Sequence, residues 1–119
     1  MTVKIARIYD DSIPEGKRIL VDRVWPRGIS KAHAQLDEWL KDIAPSTALR
    51  QWFNHQDDLF KQFKEKYKKE LQDNDEQAQA FNKLKHIIEE SHQDVILLYA
   101  AKNTKYNQAI VLQLSLIHI

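Results

Sequence analysis

The run Asp94-Val-Ile-Leu-Leu-Tyr-Ala-Ala101 constrains the fold more than any other stretch of this chain. It is apolar without alternation, so both of its faces must be covered, as in a central strand packed between helices. The next strongest signal is Ile19-Leu-Val-Asp-Arg-Val-Trp-Pro-Arg-Gly-Ile-Ser30. Its β-branched, apolar start predicts a second strand over about residues 18–24. Pro26 stops that strand, because it has no amide hydrogen and biases Trp25 towards extended angles. Arg27-Gly28 predicts a turn, and Ser30 a helix cap.

Around these two anchors the rest of the chain reads as strands and helices. Val3, Ile5, Ala6, Ile8 and Tyr9 predict a first strand. The loop that follows, residues 10–16, is shorter than a normal parallel crossover, and its length alone favours a hairpin. After Ser30, Leu36, Trp39, Leu40 and Ile43 fall at helical spacing, which predicts an amphipathic helix with Asp37, Glu38, Lys41 and Asp42 outward. Ala44-Pro45 ends it, and Ser46 or Thr47 caps a helix carrying Leu49, Trp52 and Phe53. Beyond a turn at 54–58, Leu59, Phe60, Phe63, Tyr67 and Leu71 form the apolar stripe of a long helix whose other face holds lysines and glutamates. A further helix turns Ala78, Phe81, Leu84, Ile87 and Ile88 inward, and Asn107 opens a last one through Ala109, Ile110 and Leu112. The long helical excursion between the strands at 20–24 and 95–99 lets the chain return in the same sense, so the two are expected side by side and parallel. The expected fold is a three-layer α/β single domain, residues 1–119, with a small, mostly parallel sheet covered by helices. The tail 114–119 is apolar; it can finish the last helix, pack on the core or lie outside the domain, and it is given no function.

With 119 residues, 29% of them charged and 43% hydrophobic, the chain has the balance of an ordinary globular domain. A net charge of +1 sets up no global field towards nucleic acid or membrane, so any cationic site must be local. No cysteine is present, which removes disulfides, thiol nucleophiles and thiolate metal sites. A charged N-terminus without a signal-type apolar core leads to the expectation of a cytoplasmic protein with no membrane association.

Asp22, Arg23 and Arg27 lie at or just past the carboxyl end of one predicted strand, and Lys102 at that of its expected neighbour. Ligands of open α/β sheets bind at that edge. Arginine presents planar, bidentate donors suited to phosphate or carboxylate. The expected ligand-binding residues are therefore Arg23, Arg27 and Lys102. Asp22 would orient an arginine, Trp25 would wall the pocket, and Asn107 would supply an amide at the start of its helix. The alternative is an ion pair of Asp22 with Arg23 or Arg27 that only fixes the loop. Asp37 and Glu38, adjacent on the predicted helix, do not converge and read as dipole-complementing charges, although Glu38 could pair with Arg27 or Arg50. His33, His55, His86, His92 and His118 show no metal spacing; His86 with Glu89 or Glu90 lacks a third ligand. His55 could reach the pocket as an acid or base, or cap a helix. The lysines between Lys61 and Lys69 read as a solvated helix face, not a nucleic-acid surface. Trp25, Trp39 and Trp52 read as core or pocket wall.

Val21-Asp-Arg-Val-Trp-Pro-Arg-Gly-Ile29, Leu36-Asp-Glu-Trp39, Ala44-Pro-Ser-Thr47, Leu49-Arg50 and Leu97-Leu-Tyr-Ala-Ala-Lys102, with Asn107 and Ala109, resemble the YeaO-like family of small bacterial proteins of unknown function. The resemblance covers nearly the whole chain. It implies a cytoplasmic α/β domain and no particular activity. Longer members place a helix between the first two strands, which implies a parallel pair here with a compressed crossover. They also carry a cysteine-histidine-arginine near Asn107, Gln108 and Ala109; this chain lacks those residues, so thiol chemistry does not transfer.

Two functions of different class remain. One is a small-ligand site for a phosphate- or carboxylate-bearing molecule at the sheet's carboxyl edge, with catalysis open because no nucleophile stands out: Ser30 and Ser46 read as caps. The other is a protein or nucleic-acid interaction module using the same arginine-rich edge, without catalysis. Neither the cofactor nor the oligomeric state is legible in the sequence.

Overall fold

The computed structural model describes residues 2–117. Four strands, β1 (Val3–Arg7), β2 (Lys17–Leu20), β3 (Glu38–Trp39) and β4 (Val95–Tyr99), form one parallel sheet in the order β1-β4-β2-β3. β4 is central and every residue in it is buried, as its unbroken apolar run requires. It lies beside β2 in parallel, with Ile19 opposite Leu97 and Leu20 opposite Leu98.

Strand alternation divides the core. Val95, Leu97, Tyr99 and Ile19 face one side, where they meet α2 (Thr47–Phe53), α3 (Phe60–Asp73), α4 (Asp75–Glu90) and α5 (Gln108–Ile117) through Phe53, Phe63, Tyr67, Leu71, Leu84, Ala109 and Leu112. Ile96, Leu98 and Leu20 face the other side with Ala6, Ile8 and Ala34. That second layer is thin, built from loops and the single turn of α1 (Lys31–Ala34). Ser46 caps α2 and Asn74 caps α4 through their side-chain oxygens, satisfying amides that the first turn leaves open. Among the described residues no helix is long and apolar enough to cross a membrane.

Three local expectations are corrected. First, β1 and β2 form neither a hairpin nor an adjacent pair: both run parallel to β4, which lies between them. Residues 8–16 make the crossover without a helix, and Ile8 and Ile13 pack under the sheet on the way. Gly16 permits the re-entry. It sits at φ +154°, and a Cβ there would lie 2.4 Å from the Asp94 carbonyl oxygen, which accepts a 2.7 Å hydrogen bond from the Lys17 amide.

Second, no helix spans Leu36 to Ile43. Gln35 adopts a left-handed conformation (φ 49°) that ends α1 after one turn. The chain then joins the sheet: the Arg18 amide donates to the Asp37 carboxylate at 2.8 Å, and the Leu40 amide to the Leu20 carbonyl at 2.9 Å. Leu36 and Trp39 pack on the thin side and Leu40 and Ile43 on the helical side, a division that one helical stripe cannot make. Third, β2 ends at Leu20 and Val24 is 65% exposed. Trp52 is also exposed, with the Lys66 ammonium 5.0 Å from its ring centre, and so belongs to neither core nor pocket wall. His118 and the end of the tail lie outside the described residues.

Candidate functional site

Past β2, the segment from Asp22 to Ile29 folds over the carboxyl edge of the sheet and is held by indole and phenol groups. The Trp25 indole donates to the Ile29 carbonyl at 2.7 Å, closing the turn around Pro26, and the Tyr9 hydroxyl donates to the Arg27 carbonyl at 2.7 Å. Gly28 sits at φ +81°, the conformation such a turn favours glycine for. The Trp39 indole donates to the Asp22 carbonyl at 2.7 Å and meets Trp25 edge-on, ring centres 5.3 Å apart.

This fold leaves a cavity of about 400 Å³ at the ends of β2 and β4. Its polar wall comprises Asp22, Arg23, Arg27, Arg50, His55, Asn107 and Gln108. Its apolar wall includes Tyr9, Val24, Trp25, Phe53 and Tyr106. Arg23 donates to the Ala44 carbonyl at 3.0 Å and stands 3.9 Å from the exposed Asp42 carboxylate; its buried Nε has no partner. Arg27 is exposed at the rim.

Asp22 does not orient an arginine. Its carboxylate accepts a 2.8 Å hydrogen bond from the Ala100 amide and another from the Gln108 side chain, tying β2, β4 and α5 together. Burial pushes its pKa up to about 6, against the lowering effects of the Ala100 amide, the Gln108 amide and the charge of Arg50. Nor does Asn107 offer a free amide. Its nitrogen donates to the Asn103 carbonyl at 2.9 Å and its oxygen accepts from the Ile110 amide at 3.0 Å, so it caps α5. Lys102 is exposed and stands outside the cavity wall. Beyond it, the Asn103 side-chain oxygen accepts from the Lys105 and Tyr106 amides and folds the loop, and Tyr106 lines the cavity.

The expected set thus places Asp22, Arg23, Trp25, Arg27 and Asn107 around one cavity, and the structure adds Arg50, Gln108, Tyr9 and Tyr106 to its wall. Two of these had a trace in the sequence. Arg50 belongs to the Leu49-Arg50 stretch of the family resemblance, and Gln108 lies near the position where that resemblance implies a cysteine-histidine-arginine in longer members. Tyr9 and Tyr106 had none, because only the tertiary fold brings loops before β2 and after β4 to the same rim. Asp37 and Glu38 are not helical: Asp37 holds the Arg18 amide, and Glu38 pairs with Lys83 at 2.8 Å, not with Arg27 or Arg50. His86 pairs with Glu90 at 3.1 Å on the exposed side of α4. Among the described residues no group of three or more histidine, cysteine or acidic side chains could hold a metal ion.

No solved structure matches this chain. Uncharacterized protein YeaO of Escherichia coli K12 is 42% identical over 113 residues, 94% of each chain. Uncharacterized protein Rv3073c of Mycobacterium tuberculosis H37Rv and Uncharacterized protein Mb3100c of Mycobacterium bovis are each 47% identical over 72 residues, 60% of this chain and 61% of theirs. The matched stretch therefore spans under two thirds of the mycobacterial relatives and nearly all of the Escherichia coli one. The model of the DUF488-N3i family, described as the inactive DUF488-N3 subclade, matches residues 2–118, and with the parallel α/β sheet in place the chain belongs to that family.

Proposed function

We propose that the cavity at the carboxyl edge of the sheet binds a small anionic ligand, bearing a phosphate or carboxylate, and does not transform it. The supporting observation is that Arg23, Arg27 and Arg50 share one cavity wall with a single carboxylate, Asp22. With Asp42 standing 3.9 Å from Arg23, three guanidiniums face two carboxylates, Asp22 and Asp42, which still leaves a cationic excess, and guanidinium matches the planar geometry of the anions. A concave space of about 400 Å³ suits a small molecule better than the flat arginine pair that an acidic partner or nucleic acid would meet.

Binding without chemistry is favoured by what stands at the start of α5. Asn107 and Gln108 are amides, both engaged in hydrogen bonds, and neither is a nucleophile. The hydroxyls of Ser30 and Ser46 cap helices. The family's description as an inactive subclade agrees with this reading.

The test is thermal denaturation at fixed ionic strength against a panel of phosphorylated and carboxylate metabolites. A ligand at a hundred times its Kd stabilises by about 2.7 kcal/mol, enough to raise the midpoint by several degrees. Arg27→Glu, at an exposed position, should keep the unliganded midpoint and lose the shift. The proposal is overturned if no anion moves the wild-type midpoint, or if Arg27→Glu responds as the wild type does.

A further inference from the structure

The apolar wall of the cavity says more about the ligand than the charged wall does. Five large apolar side chains are exposed among the described residues, and three of them, Tyr9, Val24 and Tyr106, line this cavity. Val24 is 65% exposed, Tyr106 38% and Tyr9 37%. Single exposed hydrophobes are ordinary, but their gathering around one concave site marks a surface with something to cover it. Two of the rings are also held in place. The Tyr9 hydroxyl is fixed on the Arg27 carbonyl, and Tyr106 packs against Phe60 with ring centres 5.0 Å apart. Held rings lose little freedom when a ligand arrives, which favours binding. An inorganic ion could engage the arginines but would leave these walls in water and most of the cavity unfilled.

We infer that the ligand is an anion carrying an aromatic or similarly bulky apolar body, its charged group towards the arginines and its body against Trp25, Val24 and Tyr106. This deepens the anion-binding reading and rests on it. The charge supplies orientation, and the buried apolar body supplies most of the affinity.

Methyl phosphate and phenyl phosphate share a charged group and differ in the ring, while benzyl alcohol has a ring and no charge. All three should be titrated into the full chain by calorimetry at one pH and salt concentration. Phenyl phosphate should bind at least roughly tenfold tighter than methyl phosphate, since a ring is taken out of water, and benzyl alcohol should bind far more weakly than phenyl phosphate. Val24→Ser and Tyr106→Ser should each shrink the phenyl-to-methyl ratio, whereas Trp52→Ser, exposed but outside the cavity wall, should keep it. Val24 is exposed enough for its variant to fold even if Tyr106→Ser does not. Equal affinity for the two phosphates, a ratio untouched by the rim variants, or benzyl alcohol binding as tightly as phenyl phosphate would overturn the inference and leave anion binding standing in the first two cases. If neither phosphate binds, the anion-binding reading fails, and this inference fails with it.

Discussion

Asp22 links three elements through one carboxylate: it leaves the end of β2, accepts from the Ala100 amide beyond β4 and from Gln108 on α5. Its pKa, about 6 against an ordinary 3.8, is raised first by burial. The sign follows from proton binding. Between about 4 and 6 the folded protein holds a proton on Asp22 that the unfolded chain has released, so stability falls as pH rises through that window. Below 3.8 the stabilising effect of the protonated form is complete, and above about 6 it is lost. Asp94, which pairs with Lys4 at 3.1 Å, is shifted downward and acts in the opposite sense, but only below its ordinary 3.8. The two effects therefore occupy different pH ranges. Asp22→Asn keeps the volume and one acceptor oxygen without the titration. Urea midpoints measured from pH 4 to 7 should show wild type losing stability relative to this variant as pH rises. A difference that stays flat across the range would refute the assignment.

At the scale of elements, β1 and β2 show how one residue decides a connection. The loop between them is too short for a helical crossover and instead lies under the sheet, entering β2 through Gly16. A side chain there meets a backbone oxygen of Asp94, which has no flexible end to move aside, and it also meets an unfavourable φ. Gly16→Ala should cost about 1–3 kcal/mol by overpacking, with a further cost for the positive φ, read as a lowered denaturation midpoint. A change within about 0.5 kcal/mol, the range of ordinary surface substitutions, would show that this contact does not constrain the crossover. The segment 36–43 makes a complementary point. Its spacing of three, four and seven is as good for a helix as any in the chain, yet backbone pairing with β2 takes it into the sheet. Helical periodicity measures only which positions are apolar; it does not say whether they must face one layer or two.

For the whole molecule, the sheet order β1-β4-β2-β3 puts β4 between both apolar layers and β3 at an edge with only two paired residues. Opening β4 would separate both cores, whereas β3 can fray alone. Native-state hydrogen exchange should therefore find the amides of β4 opening only with global unfolding and those of β3 at much lower free energy. Equal protection of the two strands would contradict this order of stability. The same central position explains where the cavity lies, since β4 and β2 end together and the loops that follow each must turn away from one point.

What the sequence determined by itself follows from burial and from local backbone chemistry. A short, β-branched apolar run reads as a covered strand, a serine or asparagine before an apolar stripe as its cap, and Trp25-Pro26-Arg27-Gly28 as a turn, which the structure places five residues past the end of β2. Those statements located α2 to α5 and β4, the long helical excursion between β2 and β4 gave their parallel pairing, and five of the expected residues line the cavity. The tertiary structure decided the rest because it depends on contacts between distant segments. It inserted β4 between β1 and β2, recruited 38–39 as an edge strand, gave Asp22 to Ala100 and Gln108 in place of an arginine, and left Lys102 outside the cavity that Tyr106 lines. None of these choices has a local energetic signature: each is a competition among partners that meet only once the chain has folded.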